Sequence, residues 1–404
     1  MTKKQINVTS EFGKLLKVLV HRPGAEVENL TPDTYEELLF DDAMFLPKAQ
    51  EEHDAFTDAL RKEGIEVLYI EQLVADTLDI SDEIKQNFIK DFIIEAGVEK
   101  DSEIFPAFEK YLKSFKSTKE MVDKCIAGIR FEELGDTGTL VQKTAHEIFV
   151  AKPMPNSLFQ RDPFASVVNG ITLHTMFYET RKRETLLCEY VFNHHPDFNE
   201  VPRYYDRDRS STLEGGDVMM LNEKTLAVGI SQRTGADSLQ KVAKNIFADE
   251  NNSIDTVYGI DIPKGRSWMH LDTVFTQIDK NKFSIHENSP FDIYEIKDKG
   301  NGKVSIDKIN LDIKGLMKKV FGEEAILIKC GNGDPIHSVR EQWNDGSNVL
   351  AIAPNTIVAY DRNYVTIQEM KKQGVNVISV PSSELSRGRG GPRCMTMPLE
   401  REEI

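Results

Sequence analysis

A chain of 404 residues can hold one large domain or two smaller ones, and 40% hydrophobic with 29% charged residues of both signs excludes a disordered or fibrous protein. The net charge of −16, from 66 acidic against 50 basic residues, sets any phosphate backbone against net repulsion, so nucleic acid is not an expected partner. No apolar run reaches membrane-spanning length, so a membrane is not expected either.

In chain order, the opening MTKKQINVTSEF lacks the apolar stretch of a secretory signal, which predicts a cytoplasmic protein. Lys14 to His21 is a Leu- and Val-rich run ending at Arg22-Pro23-Gly24, the pattern of a buried strand and turn. Glu66 to Ile70 reads as a second strand. From about 75 to 148 the apolar residues take helical spacing (Ile84, Phe88, Phe92, then Phe108, Leu112, Phe115), with Ser81 capping the first helix before Asp82 and Glu83. This predicts an all-helical insertion domain over 75–148, with 1–74 and 149–404 forming the other domain.

After residue 149, short apolar runs return between Gly, Asn, Asp and Pro turns. Three hairpin-like units begin at Asp162, Asp217 and Asp272, each 55 residues after the last, and a less regular copy begins at Ser347. The opening strand and its downstream helix supply material for a fifth. Equal spacing predicts α/β units that are stacked or arranged radially.

The unusual chemistry collects at the ends of these runs, in MPNSLFQRDPFA (154–165), LEGGDVM (213–219), WMHLDT (268–273) and GRGGPRCMTMPL (388–399). A thiolate is a strong nucleophile, and a His beside it can move protons. The carboxylates Asp162, Glu214 and Asp272 suit a cation: a guanidinium is planar and can be gripped by two carboxylates while its carbon faces sulfur. An amide-hydrolysing Cys-His enzyme would need an oxyanion hole instead.

Of the four cysteines, Cys125 and Cys188 sit in apolar helical patterns and read as core fillers. Cys330, before GNGDPIH, is the rival nucleophile. Cys394, in a Gly-rich loop just after Arg389 and Arg393, stands where a thiolate should be favoured. The pairs His194-His195 and His286-Glu287 lack a third ligand at a recognisable spacing, so no metal is predicted, and no cofactor. Glu214-Gly215-Gly216-Asp217 lacks the lysine and spacing of a phosphate loop; its glycines are expected to let a substrate approach closely.

These segments, together with LLFDDAMF at 38–45, resemble those of the arginine deiminases within the guanidine-modifying superfamily, over nearly the whole chain. The resemblance implies an α/β propeller of five ββαβ units in pseudo-fivefold arrangement, with an inserted helical domain. It implies that Cys394 attacks the guanidinium carbon of L-arginine, giving citrulline and ammonia through a covalent thiouronium, and that His270 acts as acid and then base. Asp162 and Asp272 would hold guanidinium nitrogens, with Glu214 beside His270. Arg181, Arg233 and Arg389 match positions that face the substrate carboxylate, and Asn156, Phe159, Leu39 and Gly388 match pocket-lining positions. A homo-oligomer, dimer or tetramer, is implied as well. Ser157, Gln160 and Pro392 depart from the usual pattern. Amidinotransfer, agmatine deimination and arginine binding without turnover remain the alternatives.

Overall fold

The computed structural model describes residues 5–265, 268–286 and 291–404. The fold is mixed α/β. Five three-stranded units recur among the described residues, each with an antiparallel pair followed by a helical crossover to a strand parallel to the second. This is what chain geometry demands, because a tight turn can join antiparallel neighbours whereas parallel ones need a long connection.

The unit beginning near Asp162 pairs Phe164–Val167 with Gly170–Leu173 and, across helix Lys182–His194, with Arg203–Tyr205. The unit at Asp217 pairs Val218–Asn222, Thr225–Ile230 and Thr256–Asp261, and two further antiparallel strands, Asp292–Asp298 and Val304–Ile309, extend its edge. The unit at Asp272 uses Phe275–Gln277, Lys282–Ile285 and Ile326–Lys329. The copy near Ser347 uses Leu350–Ala353, Thr356–Tyr360 and Asn376–Val380. The fifth joins the ends of the chain: Leu15–Val20 lies antiparallel to Met397–Arg401 and parallel to Glu66–Tyr69, with helix Leu46–Lys62 between.

Side-chain stitches repeat with the units. Asp162 Oδ1 accepts the Gly216 amide at 3.2 Å, and Asp217 Oδ1 accepts the Leu271 amide at 2.8 Å. Each aspartate thus holds the residue just before the next unit's own aspartate.

Helix Asp82–Glu95 starts with Ser81 Oγ accepting the Ile84 amide at 3.2 Å, the cap read from sequence. Phe88, Phe92 and Phe108 are fully buried, in a core continuous with Val167, Leu187 and Met397 of the strand-bearing units. The stretch is not all helix. At Gly128, φ is +88°, and a Cβ there would fall 2.7 Å from Pro153 N, so the chain turns into a two-residue strand, Ile129–Arg130, paired with Phe149–Ala151. Among the described residues no helix is long and apolar enough to cross a membrane.

Candidate active site

The loop that carries Cys394 is shaped by glycines packed against aromatic and amide side chains. A Cβ on Gly390 would lie 2.2 Å from the Phe159 ring, and one on Gly391 2.4 Å from the Asn348 carbonyl, so larger residues would push the loop outward. The Cys394 amide donates to Asn348 Oδ1 at 3.0 Å, and its carbonyl accepts from the Arg161 amide at 3.0 Å. With its backbone held from both sides, Cys394 places Sγ 3.6 Å from Asp272 Oδ2.

Three of the repeating units bring their motif residues to this point. His270 Nε2 lies 2.8 Å from Glu214 Oε2, and Nδ1 lies 3.9 Å from Asp162 Oδ1. Glu214 also accepts the Phe177 amide at 3.0 Å and pairs with Arg233 Nη1 at 3.1 Å. Asp272 Oδ2 takes a 2.8 Å hydrogen bond from Arg393 Nη1, while the buried Asp272 Oδ1 has no partner among the described residues. A desolvated acceptor without a donor is costly, typically about 1–3 kcal/mol, so this oxygen favours an incoming N–H group.

A cleft of about 250 Å³ opens onto Cys394, His270 and Asp162, and it is also lined by Arg181, Arg233, Arg389, Asn156, Phe159, Leu39 and Gly388. Glu214 and Asp272, both without exposure, lie behind it. The volume is below the roughly 300–1,000 Å³ of drug-sized sites, which leaves room for one small ligand. Leu39 (φ +64°) and Arg389 (φ +61°) both hold the left-handed conformation without being glycine, a strain of order 1–3 kcal/mol each, of the kind that clusters at ligand sites.

Arg181 is not simply presented to the cleft. It donates to Asp162 Oδ2 at 2.7 Å and to both oxygens of Glu184 at 2.8 to 3.1 Å. Arg233 stacks 4.4 Å over the Tyr178 ring, and Arg389 stacks 3.4 Å over Trp343 with Asp41 Oδ2 3.3 Å away. Tyr178, Trp343, Glu184 and Asp41 were not read as site residues from the sequence. Asp41 lies inside LLFDDAMF, and Tyr178 and Glu184 flank Arg181 in YETRKRET, whereas Trp343 carries no motif signal.

Two expectations need correcting. The arginines beside Cys394 do not favour its thiolate: burial, then Asp272, Asp162 and Asp345, push the thiol well above its ordinary value, and Arg393, turned toward Asp272 and Glu11, only partly opposes them. The glycines of the Glu214 motif make room for the protein itself rather than for a substrate. A Cβ on Gly216 would sit 2.5 Å from His270 Nδ1, and one on Gly215 1.9 Å from the Arg161 carbonyl.

Burial alone would push His270 down, but Asp162, Glu214 and Asp217 outweigh it and raise the imidazole to about 9. Glu214, which burial would raise, is held well below the usual carboxylate range by Arg233, His270 and Arg181. Asp162, Glu214 and His270 bring potential ligand atoms within 4.8 Å of one another. However, two guanidiniums and a protonated imidazole already balance those carboxylates, which disfavours a divalent cation there.

Cys330 lies outside the cleft lining. It is fully buried, accepts from Thr366 Oγ1 at 3.5 Å, and is pushed up to about 11 by burial. Cys125 and Cys188 are buried in helices Thr118–Ala127 and Lys182–His194. His194 packs on Tyr190, and His195 accepts the Asp197 amide; His286 packs on Trp268, and its sequence partner Glu287 lies outside the described residues. The departing residues are structural in their contacts. Gln160 Nε2 donates to the Ser157 carbonyl at 2.7 Å, both side chains being buried, and the Pro392 carbonyl accepts from Thr396 Oγ1 at 3.0 Å.

Among solved structures, the fold is similar to an amidinotransferase of saxitoxin biosynthesis from Microseira wollei (TM-score 0.55, 14% identity, 99% of this chain and 98% of that one). It is also similar to the DDAH of Pseudomonas aeruginosa (TM-score 0.51, 16% identity, 95% and 99%). At the level of sequence, the arginine deiminase of Clostridium perfringens (strain SM101 / Type A) is 49% identical over 99% of both chains. That of Mycoplasma capricolum subsp. capricolum is 47% identical over 99% of this chain and 98% of its own. The family profile described as arginine deiminase matches residues 36–401. A thiol among buried carboxylates and a paired imidazole, on a chain matched at nearly half its positions from end to end, places this protein in the arginine deiminase family.

Proposed function

We propose that the protein hydrolyses L-arginine to L-citrulline and ammonia, with Cys394 as covalent nucleophile. The observation that carries this reading is the pair of aspartates at the thiol: Asp272 touches Sγ, and Asp162 lies beside His270 with an oxygen that already holds a guanidinium, that of Arg181. A cation fits there, and its positive charge offsets the carboxylates that hold the thiol protonated.

In this reading the substrate guanidinium replaces Arg181 on Asp162 and meets the unpartnered Asp272 Oδ1, while Arg181 stays on Glu184 and, with Arg233 and Arg389, meets the substrate carboxylate. The thiol gives its proton up to solvent as the cation enters, and sulfur forms a bond to the guanidinium carbon. His270, protonated near neutral pH, gives its proton to a terminal nitrogen; the C–N bond breaks and ammonia leaves a thiouronium. The now neutral His270 takes a proton from water as the oxygen adds to the same carbon. The hydroxyl proton passes to the departing sulfur as the C–S bond breaks, releasing citrulline and restoring the thiol. Asn156, Phe159, Leu39 and Gly388 bound the space around the substrate chain.

The five repeating units support a propeller with pseudo-fivefold symmetry and the cleft near its axis. The run of helices supports an insertion over 75–148 within a catalytic unit of 1–74 and 149–404, although the two share a core. A cytoplasmic homo-oligomer belongs to the same reading. The test is citrulline and ammonia from L-arginine, for the wild type and Cys394→Ala, with agmatine as control. Equal yields from the wild type and none from the variant are expected. Arginine binding without citrulline, or agmatine turned over as well as arginine, would overturn the reading.

A further inference from the structure

Asn348 is fully buried and lies 76 residues from Asp272 and 46 from Cys394 along the chain, yet its one side-chain amide touches the backbone of both. Oδ1 accepts the Cys394 amide at 3.0 Å, and Nδ2 donates to the Asp272 carbonyl at 3.1 Å. Only one orientation of the amide satisfies both contacts, because the Cys394 N–H can only donate and the Asp272 carbonyl can only accept. Asn348 is itself held in place. Its backbone N–H donates to the Asp345 carbonyl at 2.9 Å, and the carbonyl of the preceding Ser347 accepts from Thr276 Oγ1 at 2.6 Å.

The contact extends the stitching of the other units. Asp162 and Asp217 each accept the backbone amide that precedes the next unit, and Asn348 does the same for Cys394. Here the second contact faces a carbonyl, which a carboxylate would repel and an amide can satisfy. An aspartate at 348 would also add another negative charge beside a thiol that already faces Asp272, Asp162 and Asp345.

We propose that Asn348 is a positioning residue for the reaction, fixing the separation between the nucleophile and the aspartate that grips the substrate by bridging their backbones with one amide. The proposal rests on the reading of Cys394 as nucleophile. Its effect is on the chemical step, because reacting atoms need about 3–3.5 Å and a shift of about 1 Å costs roughly 100-fold. The cleft arginines are set by Asp162, Glu184, Glu214 and Asp41, so substrate affinity should be little affected.

The experiment compares Asn348→Ser and Asn348→Asp with the wild type. It measures kcat and KM for arginine per mole of Cys394 thiol titrated, and the pH dependence of Cys394 alkylation by iodoacetamide. The expected result is a fall of roughly 10- to 100-fold in kcat with KM within about threefold, and an alkaline shift of the alkylation profile in Asn348→Asp only. Unchanged kcat per titrated thiol in folded Asn348→Ser would overturn the proposal, because a structural role alone lowers the thiol titre and not the turnover of intact sites. Should Asn348→Asp fail to fold, Asn348→Ser decides the matter by itself. A wild type that makes no citrulline overturns the functional reading instead, and unchanged alkylation profiles in both variants would then overturn this one as well.

Discussion

Arg393 Nη1 donates at 2.8 Å to the same Asp272 oxygen that Cys394 Sγ reaches at 3.6 Å. The guanidinium is anchored from its other side by Glu11, at 3.0 and 3.1 Å, and by the Val218 carbonyl at 2.9 Å. A permanent cation thus aims the aspartate beside the nucleophile. Removing one partner of a buried pair strands the others, at about 3–5 kcal/mol. Arg393→Met is expected to lose that much in urea unfolding, and Glu11→Gln added to it should recover part of the loss. A single variant within about 1 kcal/mol of wild type would show that the network is not structural.

His270 makes stability depend on pH in a stated direction. Its folded value, about 9, lies above the ordinary 6.5, so the folded state binds the proton more tightly. The contribution is fully present below 6.5 and is lost as pH rises through about 9. The stability difference between the wild type and His270→Asn should therefore shrink between pH 6.5 and 9, and turnover should fall on the same alkaline side as the acid form disappears. A difference that grows across that window would contradict the assignment.

The environment of Cys394 predicts a slow thiol. Because Asp162 is among the charges that raise it, Asp162→Asn should be alkylated several times faster than wild type at pH 7, with the site of modification read by mass spectrometry. Equal or slower alkylation would mean that the carboxylates do not govern the thiol.

Gly216→Ala tests the packing of the imidazole. The added methyl would meet Nδ1, Cγ and Cβ of His270 at 2.5, 2.6 and 2.9 Å, so the side chain must shift and disturb its 2.8 Å contact with Glu214. The expected outcome is a loss of about 100-fold or more in kcat with the protein still folded by circular dichroism. Near-normal turnover would show that the His270–Glu214 contact is not needed.

Much of this was legible along the chain. The 55-residue spacing marks the three hairpins that form, and the buried strand at residue 15 and the Ser81 cap stand where local pattern places them. Ten of the twelve residues singled out line one cleft, and the other two lie directly behind it. What the pattern did not carry is pairing at a distance. Arg393 looks from the sequence like a cation for Cys394, and only the fold shows that it is spent on Glu11, 382 residues away. Arg233 and Tyr178, and Arg389 and Trp343, meet because separate units converge, and no spacing rule names such partners. The direction of the thiol's shift is hidden for the same reason: Asp162, Asp272 and Asp345, distant in sequence and near in space, outweigh the adjacent Arg393.

The strand Met397–Arg401 begins three residues after the nucleophile and pairs with Leu15–Val20, which ties the last unit's closure to the first. Joining segments so far apart is entropically slow and gains nothing until the intervening units are in place. A chain still emerging from the ribosome, with its first strand waiting for a partner, holds no assembled thiol site. The thiol and the strand that anchors its loop arrive together, so the site cannot exist before Leu15–Val20 has its antiparallel partner.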